Sequence, residues 1–403
     1  MPHPRTDEIN EEFPDADAHE GTHVKVFRSL DELEQIRNNW NSWNQHPNAD
    51  FDFFSRIVRS RSEILRPHVI VLYRSGSPEA ILVGRIDVTY LDIRVGYKSL
   101  YRAPVRQLTL IHGGALGNLS AENCEVLTLE VMNSFQREEA HIAFFNRIRT
   151  DFPLYLAAKR TPRFFGRDHF QTPILHWSMK LPASVEELNH KIPGDTRREV
   201  RRRTKSLNAD YAGNVRIECF SQQSDLDCVF RDVEEVAKKT YQRGLGVGFS
   251  NDPERRQQFD LEARKGWLRT YILYVGDKPC AFWIGTLYAG VLHSGDVGYD
   301  PAFKKYAPGT LLLMRILEDL CGKGVKEMDF GLGDADWKQR FGNRTWHEAS
   351  VYLFAPNLKV VGLYLLWESA TLINEIARRG LVKTRLVPRI KAIWRDHLRR
   401  QSS

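Results

Sequence analysis

At 403 residues the chain exceeds what one ordinary hydrophobic core supports and fits two domains of roughly 150 to 200 residues. Apolar residues make up 42% and aromatic residues 11%, enough to bury two cores. The formal charge is +7 and unevenly placed: residues 1–20 hold seven acids against Arg5 alone, which puts that segment at −6 and the remaining body at +13, a balance that favours anionic partners.

Residues 1–22 have too little apolar content to fold and are expected to form a disordered acidic leader. No positively charged, apolar signal sequence opens the chain, and the five dispersed cysteines form no CxxC pair and no metal-ligand spacing with histidine. The longest apolar run near the end, residues 360–367 (VVGLYLLW), is far short of the roughly 20 residues of a membrane span. The expectation is a cytoplasmic protein with reduced thiols and no metal.

From His68 the pattern becomes a meander: a strand at 69–73 (VIVLY), a Ser-Gly-Ser-Pro turn and a strand at 80–88 (AILVGRIDV). A glycine-rich turn at 112–118 (HGGALGN), a helix from Ala121 to about Arg137 and a strand at 141–145 (HIAFF) follow. A charged, helical stretch at 183–207 marks a boundary near residue 180. Beyond it come a strand at 215–220 (VRIECF), helices near 224–242 and 253–265, and strands at 271–275, 280–288 and 291–299. A helix after Pro308, a strand at 326–330 (KEMDF) and a last strand at 349–354 complete the series. Strand, turn, strand, glycine turn, helix, strand thus occurs twice. The reading is a mixed α/β fold of two related domains, 23–180 and 181–356, each a sheet flanked by helices. The tail, 357–403, alternates apolar and basic residues at helical spacing. Such a tail lies on an anionic membrane, grips nucleic acid, or packs on its own domain.

Residues 298–320 (GYDPAFKKYAPGTLLLMRILEDL) gather two lysines, a proline and a glycine where a helix must begin. Leu311, Leu312, Leu313, Met314, Ile316, Leu317 and Leu320 give that helix one wide apolar face, so it packs on a sheet. Pro308 suits the first helical position, and Gly309 adds a position without Cβ where an anion can approach the backbone. The free first-turn N–H groups and the helix dipole favour phosphate, with Lys304 and Lys305 as counter-charges. The competing reading is an ordinary helix start with two solvated lysines.

A meander leading to a basic, glycine-containing loop and a helix resembles the acyl-CoA N-acyltransferase (GNAT) superfamily, whose loop pattern is Arg/Gln-x-x-Gly-x-Gly/Ala. Here Lys304, Ala307 and Gly309 match, with Lys in place of Arg/Gln and Ala in place of the first Gly; Pro308 also removes one backbone donor. The chain further resembles the BioF2-like (CelD-type) acetyltransferase domain, itself similar to the Fem aminoacyltransferases. The shared stretches are TRREVRRR (196–203), KTYQRG (239–244), GWL (266–268), YDP…APGT (299–310) and DFGLGDADWKQRFG (329–342). The resemblance covers residues 180–355 closely and the first domain loosely. It implies tandem GNAT-like domains, the second binding acetyl-CoA or another acyl-CoA as co-substrate through Lys304, Lys305, Ala307, Gly309 and Thr310. A cleft between the domains would take the acceptor, an amine or hydroxyl of a sugar, glycan or amino compound, in exopolysaccharide or cell-envelope biosynthesis.

Acyl transfer to an amine needs a base and an oxyanion donor. Asp329 and Asp296 are the candidate bases, and Lys338 the candidate stabiliser of negative charge. In Fem-like relatives a Phe/Tyr-Lys pair in this place contacts donor phosphate, and Trp337-Lys338 matches it. The basic run 197–205 (RREVRRRTK) suits a phosphate-bearing substrate or aminoacyl-tRNA, or is a solvated interdomain helix. Two alternatives to the acyl-CoA enzyme stay open: aminoacyl-tRNA as the donor, or a non-catalytic module whose basic surfaces dock polysaccharide-synthesis or membrane partners, with the basic tail placing the protein at the inner membrane face. The DFG at 329–331 lacks an HRD catalytic loop upstream, and GLGVG at 244–248 lacks GxGxxG spacing, so neither signals a nucleotide enzyme.

Overall fold

The structure is a computed structural model that describes residues 21–383 apart from residues 97, 241, 242 and 244–247. The chain opens with β1 (Thr22–Phe27) and short helices α1 (Leu30–Leu33), α2 (Arg37–Trp43) and α3 (Phe51–Ser60). Next come β2 (Ile64–Pro67), the meander β3 (Val69–Arg74), β4 (Ser77–Val95) and β5 (Lys98–Gly117), then α4 (Ala121–Gln136), β6 (Ile142–Arg149), α5 (Pro153–Arg160) and β7 (Ile174–Lys180). Helices α6 (Val185–Lys191) and α7 (Gly194–Asp210), broken apart at Pro193, lead to β8 (Val215–Phe220), α8 (Leu226–Ala237) and α9 (Pro253–Arg264). The second meander, β9 (Leu268–Val275), β10 (Lys278–Tyr288) and β11 (Val291–Tyr299), precedes α10 (Pro308–Gly322) and β12 (Glu327–Leu332). The described chain closes with α11 (Asp336–Phe341), β13 (Arg344–Phe354) and α12 (Leu358–Lys383).

Among the described residues, all thirteen strands join one mixed sheet in the order β1-β3-β4-β5-β6-β13-β7-β12-β11-β10-β9-β8, with β2 on β4. The repeat read from the sequence corresponds to β3-β4-β5-α4-β6 and β9-β10-β11-α10-β12. In both copies the strand before the helix pairs in parallel with the strand after it, and both parallel ladders are short. The centre of the sheet is a strand exchange. β7, from before residue 180, pairs with β12 of the second repeat, and β13, from the end of the second repeat, pairs with β6 of the first. β7 and β13 also pair with each other. The boundary drawn near residue 180 therefore falls between strands of a continuous sheet, because each half is completed by a strand from the other.

The meander strands read as continuous apolar runs because helices cover both faces. Ile70, Leu72 and Leu82 enter the core beneath α4, while Val69, Val71 and Ile81 enter the core beneath α1–α3. In the second half Tyr271, Leu273 and Trp283 face α10, and Ile272, Tyr274 and Phe282 face α8 and α9. This alternation is the period-2 geometry of a strand expressed as four separate cores.

Two expectations are corrected. The glycine-rich stretch 112–118 is not a turn but the end of β5. Gly113 has φ +78°, and a Cβ there would lie 2.4 Å from the His46 side chain, so these glycines serve close approach. The helix drawn to residue 242 ends as α8 at Ala237. The acidic leader through Glu20, residues 244–247 of the GLGVG stretch and the basic residues from Arg378 onward lie outside the residues whose side chains are described.

Candidate functional site

The first part of the site lies where the second repeat's parallel ladder ends. β11 and β12 are bonded only at Val291, Leu292 and His293 with Glu327, Met328 and Asp329; past that point β11 continues without β12 to Tyr299. A cavity of about 800 Å³ opens there, lined by Trp283, Val297, Gly298, Trp337 and the start of α10. Trp337 stands edge-on to both Trp283 and Phe330, at 5.5 and 5.2 Å between ring centroids, which makes an aromatic wall.

The helix start has the local chemistry of an anion site. Ala307 is the N-cap in the left-handed region, at φ 50° and ψ 55°, and turns the chain from the 3-10 turn at Pro301–Tyr306 into α10. Pro308 has no N–H, and those of Thr310 and Leu311 bond to Ala307 O at 3.0 and 3.2 Å, leaving that of Gly309 without a backbone acceptor in this turn. Nothing lies within 4 Å of the position a Gly309 Cβ would take, so the backbone is open to a ligand. Lys304 lines the cavity and has no ion-pair partner among the described residues, whereas Lys239, also on the lining, is paired with Asp300 at 2.8 Å.

The second part of the site joins both halves. A cavity of about 510 Å³ is lined by His112 of β5, Arg147 of β6, His176 of β7, His293 of β11, Asp329 of β12 and Glu348 of β13, with His46 beside them. His176 is the hub: its Nε2 lies 2.5 Å from Asp329 Oδ1 and its Nδ1 2.9 Å from Glu348 Oε1. Trp346 stacks on its ring at 4.3 Å. His293 Nδ1 lies 3.3 Å from Asp329 Oδ2, and the His46 ring sits 4.4 Å from His112 and 4.7 Å from His293. Neither ring nitrogen of His293 makes an aligned hydrogen bond, although both are buried. Among the described residues no group has the arrangement of a metal site.

Charge in this cluster is set by burial against pairing. Burial alone would drive His176 towards neutrality, but the hydrogen bond to Asp329 and the close Glu348 carboxylate outweigh it and raise the imidazole to about 9, so it is a cation at neutral pH. Burial would raise Asp329, yet its contacts with His176 and His293 hold the carboxyl well below the usual range. Desolvation, with repulsion from His112 and His293, pushes His46 well below its ordinary value, and burial also lowers His112. A buried cation and a buried carboxylate thus stand beside two neutral imidazoles.

The residues proposed from sequence fall into three groups. Lys304, Ala307, Gly309 and Thr310 line the first cavity together. Lys305 does not: its ammonium is paired with Asp210 at 3.0 Å, which also accepts from Tyr306, and Arg203 donates to the Lys305 carbonyl. Asp329 belongs to the second cavity as a carboxylate locked between imidazoles. Asp296 lines neither cavity; it faces Arg255 at 3.1 Å, and burial raises its carboxyl. Lys338 is buried and donates to Gly331 O at 2.9 Å and Leu332 O at 2.7 Å, so it ties down the turn after β12, and burial lowers its ammonium. The sequence reading missed His46, His112, His176, His293 and Glu348. His176 and Glu348 lie on β7 and β13, whose neighbours are set by the strand exchange, while His46 in the loop after α2, His112 on β5 and His293 on β11 reach the cluster through long-range packing; only the alternation around His176 (ILHWSMK) and His293 (VLHSGDV) signalled that either sits in a strand.

No curated protein sequence matches the chain. Among solved structures, the crystal structure of FemX matches at 10% identity and a TM-score of 0.55, covering 85% of this chain and 99% of that one. The structure of L-PGS from Bacillus licheniformis matches at 12% identity and 0.47, covering 83% and 96%. A GCN5-related N-acetyltransferase from Sphaerobacter thermophilus matches at 13% and 0.41, covering 84% and 97%. The FemX likeness extends over both repeats and agrees with the mixed α/β sheet flanked by helices. Within the chain, residues 194–339, which hold the cavity at the start of α10, match the family model of the acetyltransferase (GNAT) domain.

Proposed function

We propose that the protein is an acyltransferase that moves an acyl group, acetyl in the simplest case, from acyl-CoA to an amine or hydroxyl of a sugar or amino compound. The observation that carries this reading is that β11 borders both cavities. Its far end lines the pocket with the open helix N-terminus, and its near end carries His293. Residues 293 and 297 are separated by roughly 13 Å at about 3.3 Å per residue, a span suited to the extended arm of a thioester whose phosphates sit at α10.

In this scheme His293 is the general base and Asp329 orients it and stabilises the imidazolium, as in other histidine–carboxylate pairs. The acceptor's nitrogen or oxygen bonds to the thioester carbonyl carbon and gives its proton to His293. The carbon–sulfur bond then breaks and CoA leaves as a thiolate, which takes up a proton. The acceptor, a small molecule or glycan unit, occupies the cavity between the halves, and its chemistry suits envelope or exopolysaccharide assembly. A second reading, with aminoacyl-tRNA as donor, is favoured by α7, whose Arg203 reaches the Lys305 carbonyl and brings a basic helix beside the donor loop.

The test is calorimetric titration with acetyl-CoA and longer acyl-CoA, coupled to a thiol-release assay. Lys304→Glu is expected to weaken binding roughly tenfold to a hundredfold, while Lys305→Glu, whose ammonium is already paired, changes it less. His293→Gln keeps donor affinity and loses on the order of 10² to 10⁴ in thiol release. Binding of aminoacyl-tRNA without acyl-CoA selects the second reading, and binding of neither overturns both in favour of a non-catalytic module.

A further inference from the structure

Helix α12 is apolar on two opposite faces, and the protein covers one of them. Inward, Val360, Tyr364 and Ala370 are buried, and Val360 and Tyr364 belong to the core of the first half. Outward, Leu358, Leu365, Leu366, Leu372, Ile373 and Ile376 recur at helical spacing along one stripe, about 27 Å long at about 1.5 Å per residue. Leu366 is 53%, Ile373 50% and Ile376 61% exposed. The exposed Phe164 and Phe165 lie beside the helix, Phe165 against Tyr364 at 6.3 Å. The eight-residue run seen in the sequence is thus part of a longer segment, Leu358–Ala377, with the length and mean hydropathy, 1.2, of a membrane span.

We propose that this stripe lies in the interface of an anionic lipid bilayer and holds the protein on its surface. Spanning is excluded by the inner face: buried Glu368 accepts the His169 N–H at 2.8 Å, and Asn374 bonds to Arg94 O and the Gly96 N–H at 2.8 and 2.7 Å, so the helix is tied lengthwise to the sheet. The charge that follows selects the partner. Residues 378–403 hold nine lysines and arginines against Asp396 alone. A second copy of this chain would add nine further cations, whereas anionic headgroups neutralise them.

The full chain is floated with vesicles of phosphatidylcholine alone and of phosphatidylcholine with an equal part of phosphatidylglycerol. The expected result is flotation with the anionic vesicles only, reversed by concentrated salt. The triple variant Leu366→Gln, Ile373→Gln, Ile376→Gln, all exposed and so expected to leave the Tm unchanged, loses about fivefold per side chain and roughly a hundredfold in all. The proposal is overturned if the parent stays in solution with both vesicles, if the triple variant floats equally well, or if the chain dimerises through this face. Binding to duplex DNA without flotation also overturns it.

Discussion

Asp329→Asn removes the charge that His176 and His293 share and keeps the shape of the side chain. His176 is raised from 6.5 to about 9, on the order of 3 kcal/mol of preference for the imidazolium at about 1.4 kcal/mol per pH unit. Asp329 and Glu348 face the two ring nitrogens of the imidazolium from 2.5 and 2.9 Å, so asparagine leaves a buried cation with one of its two carboxylates. The expected loss at neutral pH is on the order of 2 to 3 kcal/mol. Because the folded value of His176 lies above its unfolded one, its contribution is complete below about 6.5 and disappears as pH rises through about 9. Asp329 is depressed, so its share is present above the ordinary aspartate range and lost on acidification. The gap between parent and variant is therefore widest between the ordinary aspartate range and about pH 6.5, narrows through neutrality and closes above the His176 value. Urea denaturation of both proteins between about pH 5 and pH 10, with histidine NMR titration, measures it. Equal stability of the two across that range, or a parent His176 that titrates near its ordinary value, would refute the reasoning.

Gly309→Leu should separate binding from folding. The position is helical and open, so leucine gains about 0.5 to 1 kcal/mol of stability while its side chain fills the approach to the α10 N-terminus. A raised Tm with weakened acyl-CoA binding is the expected pair, and unchanged affinity by calorimetry counts against the cradle. Lys338→Met keeps the buried stem but strands the Gly331 and Leu332 carbonyls, at a cost of about 1 to 3 kcal/mol each. Hydrogen exchange in the turn after β12 should accelerate; a variant as stable and as protected as the parent would show that the lysine holds nothing there.

What could be read in the sequence was local. The meanders were legible because strands covered on both faces give unbroken apolar runs, and α10 because its apolar face and its proline start are written within fifteen residues. The loop that opens α10 was legible for the same reason: capping chemistry involves neighbours in the chain. The helices before residue 60 were short and broken, and went unread. Glycines 113 and 117 were taken for a turn because one property, the missing Cβ, serves both a turn and close packing against His46 and Glu79. The histidine cluster was out of reach, since β7 and β13 carry its hub and meet only through long-range exchange, which no local pattern encodes.

The two copies of the repeat differ at the helix start beside each ladder end. In the second half α10 begins with a left-handed alanine, a proline and an open glycine, and its N-terminal turn supplies no side-chain cap of its own. In the first half the equivalent helix, α4, is already satisfied: Ser120 Oγ accepts the Asn123 N–H at 3.2 Å, and Asn123 donates to Asn118 O and to Glu79. Glu79 and Glu122, the latter in the first turn, face Arg74 at 2.6 and 3.6 Å, so this helix start is already filled by an internal ion-paired group. A Cβ at Gly117 would lie 2.4 Å from Glu79 O, so the backbone is in close contact where the other copy is open. An anion cradle is therefore available in one copy only. The first copy's ladder end instead carries His112 into the cavity between the halves, where His293 of the second copy also lies, so both ladder ends meet at the histidine cluster while the open helix start belongs to the second copy.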